Sequence, residues 1–419
     1  MIGRVEALAK GGRGIVFVEG KPVFLDGVLK GELVEFSISE KKRSVFFGVP
    51  EKIIEAAAER ITPPCPYYEQ CGGCNFQHIL YEEQAAIKED ILKSNLRRIA
   101  KIDYPDPVEV ITSPPYRYRT KAVLKIKAGK TGFFRKERHD IIEINSCLLL
   151  PQVVEDFLPQ LRNHPAVENT GTGDIFILSD GREFSALLKS GRNEQYICEK
   201  KNISFEIGDF VYSVKPRNFI QANLFTLQPM IRLVTRHLEK ESVYAAVDLF
   251  CGAGFFTLPL ARIAREVTAV EVDGENLRSL SINLKKNKID NVKIEQADIL
   301  KAELPEADIF LVDPPRRGLG RSVVASIIAG KPRQVFYFSC DSATFARDSG
   351  YFREAGYAMS GLTIIDNFPQ TDHFEIFSCF SPVIDDITAE IYFKQKVDKS
   401  LKQIDEKKVV SHEEVKGNH

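Results

Sequence analysis

The chain has 419 residues, which is enough for two or three domains that each bury a hydrophobic core. With 44% hydrophobic and 27% charged residues it has the composition of a soluble globular protein, and its net charge of −1 excludes bulk charge as an argument for a nucleic-acid partner. The sequence shows no long apolar run and no N-terminal signal pattern, so we expect a cytoplasmic protein without membrane contact.

Residues 1–56 alternate in short strand-like runs, such as "GIVFVEG", "KPVFLDG" and "ELVEFSIS", which glycine and polar residues separate. This pattern predicts a small, OB-like β-barrel. Barrels of this size commonly bind oligonucleotides on one face, so the segment is a candidate RNA-binding domain. The alternative is a structural cap on the rest of the protein.

A loop rich in proline and glycine follows, and it carries Cys65, Cys71 and Cys74 in the stretch "ITPPCPYYEQCGGCNFQH". The chain has eight cysteines, but disulfides are uncommon in a long chain that lacks a signal pattern. Three cysteines within ten residues therefore indicate a metal or cluster site.

The segment "YEEQAAIKEDILKSNLRRIAKI" predicts a helix, because its apolar residues recur at helical spacing. They form one stripe, which consists of Ile87, Ile91, Leu92, Leu96 and Ile99. Strand patterns resume near residue 116 and continue to about residue 215. We therefore predict a β-rich central domain over 57–215, whose helical part, 78–105, packs on the domain that follows.

Residues 116–136 carry eight Lys or Arg and no acid. Aromatic residues are interleaved with these charges, namely Tyr116, Tyr118, Phe133 and Phe134. This mixture suits single-stranded or looped RNA, which such surfaces bind through phosphate contacts and base stacking. The alternative is a solvated strand face with aromatic residues in the core behind it.

From 216 to 384, helix and strand patterns alternate, which predicts a Rossmann-like α/β domain with a parallel sheet. The stretch "AAVDLFCGAGFFTLPLA" joins a strand to a glycine turn and a helix. Gly252 and Gly254 let the backbone turn tightly and approach a ligand. Glu271 ends the second strand, 17 residues after Gly254, where a carboxylate can accept hydrogen bonds from ribose hydroxyls.

The turn lacks the full Gly-x-Gly-x-x-Gly pattern, and Phe255 and Phe256 occupy positions near the path of a pyrophosphate. A cofactor without phosphates, S-adenosylmethionine, fits better. Asp298 and Asp313 follow the third and fourth strands; we expect the first to reach the adenine, unless it is only a turn carboxylate, and the second to face the reacting groups. Cys340 lies just past the next strand, where ligands bind, and it is a core residue, a metal ligand or a nucleophile.

With these residues in place, the chain closely resembles the RNA uracil-5 methyltransferases, and most of all the members with an N-terminal TRAM domain and an iron–sulfur cluster. The matching stretches are "CPYYEQCGGCNFQH", "YRYRTK", "GFFR", "FIQAN", "DLFCGAG", "DPPRRG", "SCDSATFARD" and "DNFPQTDHFE". They span residues 1 to about 382 in the family's order, and 385–419 form a highly charged tail. The resemblance implies an RNA substrate, which is large-subunit (23S) ribosomal RNA or, alternatively, the T-loop of tRNA.

The resemblance also implies roles for individual residues. Cys340 is expected to be the nucleophile and Glu375 the base that removes a proton. Contacts to S-adenosylmethionine are expected at Gln221, Phe250, Glu271, Asp298 and Asp313. One departure concerns the glycine turn, where many relatives have Asn at the position of Phe255.

The chemistry explains why such residues are needed. Uracil C5 is a poor nucleophile toward a methyl sulfonium, but a thiolate added at C6 converts the ring into an enolate whose C5 can attack. The C5 proton must then be removed so that the thiolate can leave, and a carboxylate suits that step. The target base has to leave any stack to reach both groups.

For the metal site, Cys147 in "INSCLLL" is the expected fourth ligand. Four thiolates can hold a [4Fe–4S] cluster or a zinc ion, and the resemblance favours the cluster. The spacing is not the C-x3-C-x2-C of radical enzymes, and polar methyl transfer needs no electron. We therefore expect a structural cluster that fixes an RNA-binding loop. The other cysteines are expected to be packing residues, namely Cys198, Cys251 and Cys379.

Two other functions compete with this interpretation. DNA cytosine-5 methyltransferases use related chemistry, but they present the nucleophile as Pro-Cys, whereas this chain has Ser-Cys. An RNA-binding iron–sulfur protein without catalysis is disfavoured by the presence of Cys340, Glu375 and Asp313. No obligate protein partner is inferred.

Overall fold

The computed structural model describes residues 1–42, 45–238 and 242–383, and the charged tail predicted for 385–419 lies outside these ranges. The N-terminal part is a six-stranded mixed sheet. Its strands are β1 (Ile2–Arg4), β2 (Ala7–Ala9), β3 (Arg13–Val18), β4 (Lys21–Leu25), β5 (Leu33–Lys42) and β6 (Val45–Glu55). In the order β1-β5-β6-β4-β3-β2, alternate residues such as Val16, Val23 and Phe36 face a small apolar core, as period-2 patterning requires.

The predicted helix is present as α1 (Tyr81–Asn95), and a π-helical turn, Leu96–Ala100, continues it. The π turn changes the angular spacing of side chains, so the predicted apolar stripe ends early. Leu92 and Leu96 are buried as expected, whereas Ile99 is 44% exposed. Both buried leucines belong to an apolar cluster that includes residues of the C-terminal half of the chain.

The central part is a second six-stranded sheet, entirely antiparallel, beside three one-turn helices and a hairpin. Before it, a short strand, β7 (Glu109–Ile111), leaves to join a different sheet. The central elements are β8 (Lys121–Lys127), β9 (Lys130–Phe134), β10 (Ile141–Glu143), α2 (Gln152–Glu155), α3 (Leu158–Leu161), α4 (Pro165–Glu168), β11 (Thr172–Ser179), β12 (Phe184–Ser190), β13 (Asn193–Tyr196), and the hairpin β14 (Ile203–Ile207) and β15 (Phe210–Val214). The order in the sheet is β10-β9-β8-β11-β12-β13.

The C-terminal part is an α/β unit. Its elements are α5 (Leu227–Leu238), β16 (Val243–Leu249), α6 (Thr257–Ile263), β17 (Ala264–Glu271), α7 (Gly274–Lys286), β18 (Val292–Gln296), β19 (Ile309–Val312), α8 (Gly320–Ala329), β20 (Gln334–Ser339), α9 (Ser342–Glu354), β21 (Tyr357–Ile365) and β22 (Glu375–Pro382). The sheet runs β18-β17-β16-β19-β20-β22-β21-β7. Strands β16 to β20 are parallel, β22 is antiparallel to both neighbours, and β7 extends the sheet from the central part of the chain.

The sheet order places a crevice at the carboxyl ends of β16 and β19. The chain leaves β16 toward β17 on one side and returns to β19 on the other, and such reversal points are where open α/β sheets bind ligands. The strands beside it are buried on both faces, as the fully buried run Ile309–Val312 shows. Among the described residues, no helix is both long and apolar enough to span a membrane.

Candidate active site

The carboxyl edge of the C-terminal sheet collects most of the predicted site residues. Phe250 follows β16, Asp313 follows β19 and Cys340 follows β20, while Glu271 is the last residue of β17. Glu375 reaches the same edge differently, because β22 runs antiparallel and therefore begins where its parallel neighbour β20 ends. The fold thus brings the predicted nucleophile and base together across 35 residues of sequence.

The glycine turn after β16 has a backbone that few residues other than glycine adopt. Gly252 has φ +54° and Gly254 has φ +94°, and a Cβ on Gly254 would lie 2.5 Å from Cδ1 of Leu280. The close approach of turn and helix therefore requires Gly254. Phe250 also has a positive φ, 63°, and such strain in a bulky residue is typical of functional sites.

The carboxylate of Glu271 is fixed in the turn by backbone donors. Oε1 accepts hydrogen bonds from the amides of Val272 and Asp273, each at 2.9 Å, and Oε2 accepts one from the amide of Gly252 at 3.1 Å. A carboxylate offers about four acceptor sites, so Glu271 can accept further bonds from ligand hydroxyls.

Two residues of the cofactor region, Phe255 and Asp298, have surroundings that differ from those of the other residues at the crevice. Phe255 is 7% exposed and packs in the core against Phe256 and Tyr212, so this position presents no polar group to a cofactor. Asp298 is exposed, lies two residues beyond β18, and accepts a hydrogen bond from the amide of Leu300 at 3.1 Å. These are the contacts of a turn carboxylate.

The centre of the site contains a set of polar side chains in contact with one another. Gln221 Nε2 donates to Asp313 Oδ2 at 2.7 Å, and Asn367 Nδ2 donates to Gln221 Oε1 at 3.4 Å. Glu375 is buried, and its Oε2 has no hydrogen-bond partner among the described residues. A buried carboxylate oxygen without a partner is costly, and it indicates a place where a ligand or a proton completes the site.

The two carboxyl groups both have pKa values above their usual range. Burial raises the pKa of Asp313 to about 7, although the hydrogen bond from Gln221 opposes this. Burial, followed by repulsion from Asp313, raises the pKa of Glu375 well above its usual range, against the influence of Asn367 and Arg316. A carboxylate with a raised pKa is a stronger base once it has lost its proton.

Cys340 is a thiol rather than a thiolate in this environment. Burial raises its pKa to about 12, and repulsion from Glu375 and Asp313 adds to the rise, while Arg316 acts in the opposite direction. Ionising Cys340 therefore requires a change in local charge or a proton acceptor.

The loop that leads into β22, residues 366–374, is supported by α1. Lys88 Nζ donates to Asp366 Oδ1 at 2.6 Å, and both side chains are buried. Gln84 Oε1 accepts the amide of Gln370 at 2.9 Å, so the helix fixes the loop at two points. The sequence reasoning missed these residues, although a lysine at 88, adjacent to Ile87 on the predicted stripe, was a signal.

Asp248 is a further buried acid that the sequence reasoning missed. It accepts a hydrogen bond from the Thr257 hydroxyl at 2.6 Å. Burial raises its pKa to about 8, and repulsion from Asp313 and Glu271 contributes to the rise. Asp248 thus lies close enough to Asp313 and Glu271 for the three carboxyl groups to influence one another.

The four cysteines of the predicted metal site line one cavity, together with residues such as Tyr67 and Arg119. They are Cys65, Cys71, Cys74 and Cys147. Burial raises the pKa of Cys74 to about 12, and repulsion from Cys147 contributes. Among the described residues, no group of three or more His, Cys, Asp or Glu side chains is arranged to hold a single metal ion.

The basic segment 116–136 is only partly a surface. Tyr118 is fully buried and donates its hydroxyl to the carbonyl of Pro369 at 2.9 Å, so a base-stacking role is wrong for this residue. Lys121 donates to the carbonyl of Asn218 at 2.6 Å, inside the protein. For Tyr118, the alternative that its aromatic ring belongs to the protein core therefore holds.

Comparisons with known proteins agree with this geometry. A family model described as tRNA (Uracil-5-)-methyltransferase matches residues 188–306. The chain is 31% identical to the 23S rRNA (uracil(1939)-C(5))-methyltransferase RlmD of Psychromonas ingrahamii, over 90% of this chain and 95% of the relative. It is 30% identical to an uncharacterized RNA methyltransferase of Aquifex aeolicus, over 88% and 96%.

A solved structure shares the fold over most of the chain. The tRNA (uracil-54, C5)-methyltransferase of Pyrococcus abyssi, in complex with S-adenosyl-L-homocysteine, superposes with a TM-score of 0.68 at 21% identity, covering 91% of this chain and 100% of that one. The chain belongs to the RNA uracil-5-methyltransferases, enzymes that take their methyl group from S-adenosylmethionine. The resemblance to this family that was noted in the sequence is confirmed.

Proposed function

We propose that this enzyme methylates C5 of a uracil in 23S ribosomal RNA, with Cys340 as the nucleophile and Glu375 as the base. The observation that carries the assignment of roles is the meeting of both side chains at the carboxyl edge of one sheet, where Glu375 Oε2 is buried without a hydrogen-bond partner in the described part of the chain. The RNA follows from relatives whose names specify 23S rRNA, which match over most of their length.

In the proposed reaction, Cys340 gives its proton to solvent, its sulfur bonds to C6 of the uracil, and the ring becomes an enolate. S-adenosylmethionine supplies the methyl group and carries a positive sulfonium. C5 takes that methyl group and S-adenosylhomocysteine leaves; Glu375 then takes the C5 proton, and the C6–sulfur bond breaks, which restores the Cys340 thiolate and releases the product. A positive ligand beside Asp313 and Glu375 also opposes the negative charges that raise the pKa of Cys340.

The proposed contacts to S-adenosylmethionine follow from the same edge. Glu271 is placed to accept hydrogen bonds from the ribose, and the peptide of Phe250 borders the crevice. Gln221 and Asp313, joined by a hydrogen bond, present one polar unit to the reacting end of the cofactor. Asp298 is the least supported member of the proposed set because its described hydrogen bond closes a turn.

Glu271→Ala should weaken binding of S-adenosylmethionine by about 1–3 kcal/mol, because a charged hydrogen-bond acceptor is lost. Isothermal titration calorimetry with the purified enzyme measures the effect. Glu295→Ala is the matched control, since Glu295 lies on the neighbouring strand β18 and pairs with Lys293. Equal affinities for the Glu271 variant and the control would remove Glu271 from the cofactor site.

We further propose that Cys65, Cys71, Cys74 and Cys147 hold a [4Fe–4S] cluster. Their donor chemistry fits, because four thiols converge on one cavity and a cluster needs one thiolate for each iron. Positive charge from the iron offsets the burial and mutual repulsion that raise the thiol pKa values. Methyl transfer uses no electron, so the cluster's contribution is to fix the loop that carries the first three cysteines.

Protein purified without oxygen should be brown and contain roughly four irons per chain, whereas Cys71→Ser should lose both colour and iron. Cys198→Ser is the control. Cys198 accepts a hydrogen bond from the amide of Ala186 and does not line the cavity, so this variant should keep the iron. Iron analysis and the visible absorption spectrum distinguish the outcomes. A colourless protein with stoichiometric zinc would contradict the cluster.

The proposed domains follow the sequence pattern, with a TRAM-type, OB-like unit over 1–56, a central unit over 57–215 and the methyltransferase unit over 216–384. The first carries basic side chains over aromatic rings: Arg13 lies 5.1 Å from the ring centre of Phe47, and Lys41 lies 5.3 Å from that of Phe46. This combination suits single-stranded RNA.

The experiment that tests the substrate is to map 5-methyluridine in both RNA classes from a strain lacking the gene. Loss of one 23S site, restored by the intact gene but not by a Cys340→Ala gene, supports the proposal. The family model that matches residues 188–306 is described for tRNA, so a T-loop uridine is the second candidate. Loss of methylation from tRNA alone would establish that alternative.

A further inference from the structure

A turn of the N-terminal sheet contacts the loop that carries Cys340. Lys10, between β2 and β3, forms an ion pair with Asp341, the residue after Cys340. The Asp341 side chain is 11% exposed and that of Lys10 is 48% exposed, so the pair lies at the rim of the site. Lys10 belongs to none of the proposed cofactor, cluster or catalytic sets.

The turn is held in place by several independent contacts. The amide of Gly11 donates to Asp372 Oδ2 at 2.7 Å, and Asn75 Nδ2 donates both to the carbonyl of Gly11 at 3.0 Å and to Asp372 Oδ1 at 2.9 Å. Gly12 has φ +72°, and a Cβ there would lie 2.7 Å from the ring of Phe76. The turn is therefore closely docked, and Lys10 reaches Asp341 from a fixed position.

The Asp341 carboxylate accepts hydrogen bonds that favour its charged form. Its Oδ1 accepts the amides of Ala343 and Thr344 at 3.1 and 3.0 Å, which caps α9. Burial acts to raise the pKa of Asp341, but the hydrogen bonds from Lys10 and Thr344 outweigh it and lower the pKa. A fixed negative charge therefore stands beside the nucleophile.

That charge opposes ionisation of Cys340. The groups that face the thiol are three acids and one base; they are Glu375, Asp313, Asp341 and Arg316. Two of the acids belong to the proposed chemistry, whereas Asp341 is needed for the helix cap. A lysine that neutralises Asp341 therefore removes its repulsion of the Cys340 thiolate without altering the cap.

We propose that Lys10 is a positioning residue for the methyl-transfer reaction, which neutralises Asp341 and thereby makes the thiolate of Cys340 dependent on docking of the N-terminal sheet. This inference rests on the proposed role of Cys340 as the nucleophile. Its consequence is that the RNA-binding unit and the nucleophile are coupled, because a displaced N-terminal sheet leaves the charge of Asp341 uncompensated.

The test uses the full-length enzyme and follows alkylation of Cys340 by iodoacetamide between pH 7 and 10, with peptide mass spectrometry to separate it from the other cysteines. Below its pKa a thiol reacts in proportion to its thiolate fraction. Lys10→Met should shift the profile of alkylation rate against pH toward higher pH by about half a unit to one unit. At a fixed pH, the reaction is then about three- to tenfold slower. Lys10→Arg should restore the rate, and Lys21→Met, at the start of β4, should match the unmodified enzyme.

A second pair of variants isolates the charge of Asp341. Asn is also a good helix cap, so Asp341→Asn retains α9 and removes the repulsion. In that background Lys10→Met should slow alkylation less than twofold, so the coupling is measured even if the single Lys10 variant folds poorly.

Two results would overturn the inference. One is an unchanged alkylation curve for Lys10→Met together with weaker RNA binding and a smaller salt dependence, which would make Lys10 a phosphate contact. The other is an equal slowing by Lys10→Met with and without Asp341→Asn. Failure of the proposed function is separate, because it appears as covalent RNA capture by an enzyme that lacks Cys340.

Discussion

Replacing Cys340 with alanine should abolish methylation and covalent capture of RNA while RNA binding is retained. The variant lacks the sulfur that adds to C6, so activity should fall on the order of 10⁴-fold or more, as is usual when a nucleophile is removed. Cys379→Ala is the control, because Cys379 is buried in β22 away from the carboxyl edge. Methyl transfer from labelled S-adenosylmethionine and a gel-shift titration measure the two properties.

The Glu375 variant should fail at a different step, and this contrast separates the two proposed roles. Glu375→Gln retains the Cys340 thiol, so addition to C6 and transfer of the methyl group can still occur. Removal of the C5 proton cannot, and a methylated, covalent RNA–enzyme complex should accumulate and survive denaturing electrophoresis. Rapid turnover by this variant would show that another group removes the proton.

RNA that contains 5-fluorouridine gives an independent readout, because fluorine at C5 cannot be removed as a proton. The unmodified enzyme should therefore be trapped on this RNA. If Cys340→Ala is trapped equally well, the nucleophile is a different residue and the proposed mechanism is wrong.

The sequence predicted the carboxyl edge of the sheet well, for a local physical reason. Parallel strands connected by helices all end at one edge, so Asp313 and Cys340 could be assigned there from the pattern of strands alone, while Phe250 was implied by the resemblance. The position of Glu375 could not, since it depends on the antiparallel pairing of β22 with β20, which is a long-range contact.

The parts that the sequence did not reveal all depend on contacts between distant segments. Lys88 meets Asp366 across 278 residues, and Lys10 meets Asp341 across 331. Hydrophobic periodicity locates helices and strands but carries no information about which charged side chains pair after folding. Hydrophobic periodicity also did not predict the π turn that exposes Ile99, because such a turn interrupts the regular spacing of a helix.

Lys88→Met should be the most destabilising of the predicted changes. Lys88 and Asp366 are 0% and 1% exposed, and Asp366 Oδ2 already lacks a hydrogen-bond partner among the described residues. Removing the lysine leaves a buried, uncompensated carboxylate, a change that typically costs about 3–5 kcal/mol of stability. Urea denaturation followed by circular dichroism measures the loss. Lys93→Met, which breaks the pair with Glu89 and a hydrogen bond to the carbonyl of Asp106, should cost less than about 1 kcal/mol.

The same variant tests whether α1 supports the catalytic loop. Lys88 Nζ also donates to the carbonyl of Phe368 at 3.3 Å, within the segment that connects Asn367 to Glu375. Activity per folded molecule should therefore fall in Lys88→Met as well. Removing both charges, in Lys88→Met with Asp366→Asn, should recover much of the lost stability, because a neutral buried pair avoids the unpaired charge. If the double variant is no more stable than Lys88→Met, the cost comes from lost packing of the lysine stem, and the ion pair does not account for the position of the loop.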